Sequence, residues 1–219
     1  MEKRRYDCVI FDMDGTIMDT SMGVMRSVQY ALRQMGLPDD DLERIRKFIG
    51  PPLYEAFSEF YGMNDANATE AVRQYRVRYA DIGVLEYTPY EGMLELICDI
   101  KANGMKVGIA TGKPEKFTRI ILEHSGLSEQ VDMLVTPNLS DKKQDKPEMV
   151  RSIMEKLGKN AVMIGDRCFD MEGALANGID CIGVTQGFGS KEELANSGAT
   201  YVVHGAQGIR GILGLQEEE

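Results

Sequence analysis

Histidine is scarce: His124 and His204 are the only two, neither has neighbours at ligand spacing, and an imidazole-held metal is therefore not expected. Cysteine is limited to Cys8, Cys98, Cys168 and Cys181, widely spaced and without a C-x-x-C pair. Three of them lie in apolar runs, so they read as reduced core thiols of a cytoplasmic protein. No apolar run approaches the roughly 18 residues that a transmembrane helix needs. The basic start Met1-Glu2-Lys3-Arg4-Arg5 is followed by only four consecutive apolar residues before Asp12, too few for the apolar segment of a signal peptide. Positive charge is also short, with 25 Lys and Arg against 35 Asp and Glu, a net −10. That balance argues against nucleic acid and against an anionic membrane surface as partners. No internal repeat is visible, and the one biased segment, Gln216-Glu217-Glu218-Glu219, reads as a solvated end.

What is present is a chain of 219 residues with 43% hydrophobic content, enough for a sizeable core without staples. From about residue 89 onward, short apolar runs alternate with amphipathic stretches, the pattern of βα units on a parallel sheet. Strands are expected at Lys106 to Ala110, Met133 to Val135, Ala161 to Ile164, Cys181 to Val184 and Tyr201 to Val203, joining a first run at Tyr6 to Phe11. Helices are expected over Glu91 to Ala102, burying Leu94, Ile97 and Cys98, over Glu115 to His124, burying Phe117, Ile120 and Ile121, and over Glu148 to Leu157. Residues 20–87 have helical periodicity, with breaks at Gly36-Leu37-Pro38, Gly50-Pro51-Pro52 and Gly62. The expected organisation is an α/β core with a Rossmann-like parallel sheet, made from 1–19 and 88–219, interrupted by an all-α cap at 20–87. Hinges fall at Thr16 to Thr20 and Glu86 to Pro89.

The most informative segment is Asp12-Met13-Asp14-Gly15-Thr16, directly after Cys8-Val9-Ile10-Phe11. Side chains at i and i+2 leave a strand on one face, and ligands of open α/β sheets sit beyond the carboxyl ends of the strands. Two unpaired acids there repel, and a divalent cation reverses that cost. The competing reading is an acidic helix cap before the pattern that begins near Ser21. Three other strand ends carry polar groups: Thr111-Gly112-Lys113 before Pro114, Gly165-Asp166 with Asp170 one turn on, and Lys146 ahead of Pro147. Capping explains each of these singly.

In this order on successive strand ends, Asp12-x-Asp14-Gly15-Thr16, Thr111-Gly112, Lys146-Pro147 and Gly165-Asp166-x-x-x-Asp170 resemble the four motifs of the haloacid dehalogenase-like superfamily. The stretch Ile164 to Val184 and the following Gly187-Phe188-Gly189-Ser190 are most similar to its phosphoglycolate phosphatase and 5'-nucleotidase branch. The resemblance implies a helical cap inserted just after the first motif.

It also implies roles. Asp12 is the nucleophile that forms an aspartyl phosphate, and Asp14 the acid for the leaving oxygen and then the base for water, with a pKa above that of Asp12. A carboxylate-rich site suits Mg²⁺, held by Asp12, the main-chain carbonyl of Asp14, and Asp166. Asp170 is a further ligand or, in the preferred reading, an acceptor that orients Asp166 or Lys146. Gly15, Thr111, Gly112 and Lys146 bind the phosphoryl oxygens, Lys146 being preferred to Lys142 and Lys143 for its spacing to Gly158.

The implied activity is a phosphatase for a small phosphorylated metabolite, phosphoglycolate or a nucleoside monophosphate. A sugar phosphomutase shares all four motifs but is disfavoured because no Lys-Gly-Val-Ser-Arg-like segment stands near Gly50. An inorganic pyrophosphatase stays open, whereas a phosphate-sensing binding module on the same scaffold is disfavoured because all the matched catalytic positions are filled. Asp14 disfavours phosphonate hydrolysis and dehalogenation. Arg46, Lys47, Gly50 and Pro51 form the cap turn expected to select substrate, while Arg73, Arg76 and Arg78 read as a solvated helix face and the 14 Met as gap fillers. A monomer is the expectation, with a homodimer open.

Overall fold

The computed structural model describes residues 6–137 and 145–215. Met1 to Arg5, the rival lysines Lys142 and Lys143, and the acidic tail lie outside the described residues.

Six strands form a parallel sheet: β1 (Cys8–Phe11), β4 (Lys106–Ala110), β5 (Met133–Val135), β6 (Ala161–Gly165), β7 (Asp180–Val184) and β8 (Tyr201–Val203), in the order β5-β4-β1-β6-β7-β8. The expected α/β fold with a Rossmann-like parallel sheet is what the chain adopts. All four residues of β1 are fully buried, which is why this strand reads as an unbroken apolar run rather than an alternating one. In the register, Phe11 stands beside Ile109 of β4 on one side and Ile164 of β6 on the other. The chain first builds outward from β1 through β4 to β5, then crosses to β6, β7 and β8. The order therefore reverses at β1, and ligand crevices of such sheets open at that reversal, beyond the strands' carboxyl ends.

Two short strands, β2 (Met18–Asp19) and β3 (Thr88–Pro89), pair as a ribbon where the chain leaves and re-enters the sheet-bearing part. Among the described residues the chain divides into two compact units, 19–88 and the remainder.

In the larger unit, helices α5 (Met93–Ala102), α6 (Glu115–His124), α7 (Lys146–Leu157), α8 (Cys168–Leu175), α9 (Lys191–Asn196) and α10 (Gly205–Leu213) follow the strands. Met149, Val150 and Ile153 of α7 and Met171 and Ala174 of α8 share one buried cluster with Ile10 and Met163. One expectation is corrected here. In α5 the buried face is Met93, Leu96, Ile97 and Ile100, the i, i+3, i+4, i+7 stripe that starts from Met93, which leaves Leu94 half-buried and Cys98 exposed.

The smaller unit holds α1 (Ser21–Gln34), α2 (Leu42–Arg46), α3 (Leu53–Tyr61), α4 (Asp65–Asp81) and a 3₁₀ turn at Gly83–Leu85. The buried face of α1, with Val24, Val28, Ala31 and Leu32, and that of α4, with Ala68, Ala71, Val72, Tyr75 and Tyr79, supply most of its core. Phe48 meets Phe57 edge to face at 4.7 Å and Phe60 at 5.4 Å, which ties the turn after α2 to α3. Glu86 receives Arg26 at 2.7 Å and Arg78 at 2.8 Å, so Arg78 is engaged within the unit rather than simply solvated. No helix among the described residues is long and apolar enough to cross a membrane.

Candidate active site

Adjacent strands β4, β1 and β6 end in Thr111, Asp12 and Asp166. The Asp12 main-chain N–H still donates to Ile164 O at 2.9 Å, so the ladder holds until the acid itself. After Asp12 the chain turns tightly, with Ile17 and Met18 donating back to Met13 O at 3.0 Å each and Gly15 N donating to Met18 O at 2.8 Å.

Lys146 opens α7, whose N-cap Asp145 accepts from Glu148 N. Its Nζ donates to Asp12 Oδ1 at 2.9 Å and to Ala110 O at 2.8 Å and pairs with Asp170 Oδ1 at 2.8 Å, so three acceptors meet its three hydrogens. Asp170 sits in the first turn of α8, where its Oδ2 accepts from Arg167 N at 3.1 Å. Both Asp170 oxygens are thus engaged. Asp166 is fully buried, with Oδ1 accepting from the Thr16 hydroxyl at 3.1 Å and Oδ2 from Phe188 N at 2.8 Å.

Asp12, Asp166 and Asp170 each bring a carboxylate oxygen within 4.8 Å of the others, all buried. Burial pushes the Asp12 carboxyl up to about 6; Lys146 pulls it back, and the charges of Asp170 and Asp14 push it further up. Burial also holds Asp166 well above the usual carboxylate range, helped by Asp170 and Asp12. For Lys146, burial alone acts to lower the pKa, but Asp12 and Asp170 together hold it above the usual ammonium value. A second buried ammonium, Lys113, pairs with Asp14 Oδ2 at 3.1 Å.

Four carboxylates (Asp12, Asp14, Asp166, Asp170) less two ammoniums (Lys113, Lys146) leave two formal negative charges, the deficit that one divalent cation cancels. The donors are all oxygen, as hard cations require. Main chain packs closely against one of them, as only glycine allows. A Cβ on Gly15, whose φ is +82°, would stand 2.2 Å from Asp166 Oδ2, and one on Gly187 would stand 2.4 Å from the same atom. The residues present therefore fit a divalent cation held by Asp12 and Asp166.

Of the positions singled out in the sequence, Asp12, Asp14, Gly15, Thr111, Gly112, Lys146, Asp166 and Asp170 all lie in the sheet-bearing unit at the carboxyl ends of its central strands. The Thr111 hydroxyl, buried, accepts from Lys113 N at 3.3 Å. Arg46, Lys47, Gly50 and Pro51 lie in the other unit, Arg46 as the last residue of α2 and the rest in the turn before α3, with Arg46, Lys47 and Gly50 exposed. Arg73 is engaged by Glu70 at 2.6 Å on the surface of α4. His124 ends α6, and His204 precedes α10 with Nδ1 3.0 Å from the Thr185 hydroxyl, so neither joins the acid cluster. Sequence reasoning passed over the roles of Lys113, Thr16, Gln186 and the Phe188 amide. Lys113 was signalled by its place three residues past a strand end; a main-chain amide has no sequence signature.

A family model described as haloacid dehalogenase-like hydrolase matches residues 9–184. A 5'-nucleotidase of Pseudomonas aeruginosa is 37% identical over 212 residues, covering 95% of this chain and 96% of that protein. The tyrosine-protein kinase PtkA of Mycobacterium tuberculosis is 30% identical over 201 residues, 90% of this chain and 68% of that one. The crystal structure of a predicted phosphatase from Clostridium acetobutylicum superimposes with a TM-score of 0.88 at 40% identity, over 96% of this chain and 99% of that chain. With strand-end acids, buried lysine and sheet order all accounted for, the chain belongs to the haloacid dehalogenase-like hydrolase family, beside members named as phosphatases.

Proposed function

We propose that the chain is a Mg²⁺-dependent phosphatase that hydrolyses a small phosphomonoester through an aspartyl phosphate on Asp12. The observation that carries this reading is Asp12 at the end of the central strand, hydrogen-bonded to the buried ammonium of Lys146 and two residues from a second acid. A carboxylate oxygen of Asp12 attacks phosphorus in line, the bond from phosphorus to the ester oxygen breaks, and Asp14 gives that oxygen its proton. Water then attacks the phosphoryl group, Asp14 takes the proton, and the bond to Asp12 breaks to release phosphate. Lys146 offsets the charge that builds on the phosphoryl oxygens, with the Thr111 hydroxyl and Gly112 amide beside it. Asp170, paired with the Lys146 ammonium at 2.8 Å, orients that ammonium rather than ligating a metal. Mg²⁺, held by Asp12, the Asp14 carbonyl and Asp166, supplies charge neutralisation at the transferring group.

A nucleoside monophosphate is the first substrate to try, since a 37% identical relative is named for that activity, and phosphoglycolate the second. The test is phosphate release from nucleoside monophosphates, phosphoglycolate, sugar phosphates and diphosphate, with Mg²⁺ and with chelator. The expected result is one ester turned over far faster than the rest and only with metal, with Asp12→Asn cutting turnover by at least about a thousandfold. Isomerised sugar phosphate without phosphate release would move the assignment to a mutase, diphosphate as the best substrate to a pyrophosphatase, and binding without turnover to a phosphate-sensing module.

A further inference from the structure

Asp166 is held by a closed ring of contacts that runs through a residue with no part in the chemistry above. The Gln186 side chain donates from Nε2 to the main-chain carbonyl of Thr16 at 2.9 Å. Thr16, fully buried, donates its hydroxyl to Asp166 Oδ1 at 3.1 Å. The other oxygen of Asp166 accepts from the amide of Phe188, two residues beyond Gln186, at 2.8 Å. The ring thus leaves the loop after β7 by a side chain and returns to it by a main-chain N–H. It joins three strand ends, those of β1, β6 and β7.

We propose that Gln186 is a positioning residue for the cation site, fixing the rotation of the Asp166 carboxylate through Thr16. The inference rests on the reading of Asp12 and Asp166 as cation ligands. A carboxylate with one anchored oxygen still turns about its Cβ–Cγ bond. Anchoring both oxygens from different segments stops that rotation and leaves the remaining lone pairs pointing one way. The loop has no slack with which to compensate: a Cβ at Gly187 would come 2.3 Å from Gly15 O, and one at Gly189 2.1 Å from Asp166 O. If the Gln186 amide is removed, the buried Thr16 carbonyl loses a donor and the hydroxyl on Asp166 loses its fixed origin. Groups that orient a metal ligand typically change metal affinity by about 10- to 100-fold, and one acting through an intermediary belongs at the lower end, about 10-fold.

The test uses Gln186→Glu, which keeps the shape but replaces the donating amide with an acceptor facing a carbonyl, and Gln186→Met, an apolar chain of similar length. Mg²⁺ alone is titrated into each full-length protein without substrate, by calorimetry and by thermal shift. Turnover of p-nitrophenyl phosphate is then measured against Mg²⁺ concentration. Both variants are expected to bind Mg²⁺ about 10-fold more weakly, with kcat at saturating Mg²⁺ within about twofold of wild type and an unchanged KM for the ester. Lower melting temperatures in chelator with an unchanged Mg²⁺ affinity would make Gln186 a merely structural residue and overturn the proposal. A wild-type protein that binds no Mg²⁺ would instead remove the cation reading on which it stands, and is told apart because no variant is needed to see it.

Discussion

Replacing Lys146 with Met tests the electrostatic account of the site most directly. The substitution keeps the length of the side chain and removes an ammonium that serves Asp12 Oδ1, Asp170 Oδ1 and Ala110 O within 2.9 Å. What remains is two buried carboxylates facing each other without a counter-charge. Removing one partner of a buried ion pair costs about 3–5 kcal/mol. For chains of this size each kcal/mol shifts the melting temperature by about 2–4 °C, so a fall of about 6–20 °C is expected at pH 7 in chelator. The cost shrinks toward pH 5, because Asp12, already raised to about 6, takes a proton there and gives up its attraction to Lys146 in the wild type as well. Mg²⁺ at pH 7 restores part of the loss by supplying positive charge. Thermal unfolding followed by circular dichroism at both pH values, with and without Mg²⁺, gives four differences between variant and wild type. A shift below about 2 °C in chelator at pH 7, or an equal shift at both pH values, would refute the assignment of Lys146 as the counter-ion of a charged Asp12.

The wild-type protein in chelator is expected to lose stability as pH rises from about 4 to about 6. The unfolded chain releases the Asp12 proton near 3.8 while the folded one keeps it to about 6, a difference worth roughly 3 kcal/mol across that window. Mg²⁺ needs the ionised carboxylate, so its stabilising effect grows over the same range. Calorimetric melting at pH 4.5 and 7 checks both signs, and an Asp12→Asn variant with an undiminished pH dependence would show that the effect arises elsewhere. Gly173→Ala puts a Cβ 2.7 Å from Lys146 Cγ, a clash expected to cost about 1–3 kcal/mol and to lower kcat by displacing the ammonium. Melting temperature and turnover measured on the same preparation should fall together; a stable but unimpaired variant would mean that Lys146 can be rerouted.

The sheet was legible in the sequence because strands covered on both faces appear as continuous apolar runs. β4, β5 and β8 have the bounds that those runs suggest, and β6 and β7 are each one residue longer. β1 is two residues shorter, Tyr6 being drawn off to donate to Asp180 Oδ2 at 2.5 Å and Asp7 being exposed. The helices α8, α9 and α10 escaped notice because they are short, and α8 and α10 carry glycine at Gly173, Gly205, Gly208 and Gly211, which weakens any helical signal. The strand-end acids stood out because an apolar run that stops on two carboxylates has little structural reason to do so. The parts that fix those acids were not legible. The Phe188 N–H and the Thr16 hydroxyl reach Asp166 across 22 and 150 residues, and the Gln186 amide reaches Thr16 across 170, separations that only the folded sheet closes.

The place of β1 bears on how the protein is made. Its four apolar residues leave the ribosome ahead of every other strand of the sheet, yet both of their partners come much later, β4 from residue 106 and β6 from residue 161. At a synthesis rate of about 5–20 residues per second, the gap of about 150 residues to β6 takes roughly 8–30 s. During that time the helices of 19–88 can form from local contacts alone, whereas β1 stays an unpaired apolar segment awaiting strands on either side. The segment that leads into Asp12 is thus the one left longest without its neighbours. Substitutions that make Cys8 to Phe11 more prone to strand pairing should lower the yield of native protein even where they leave the finished fold unchanged.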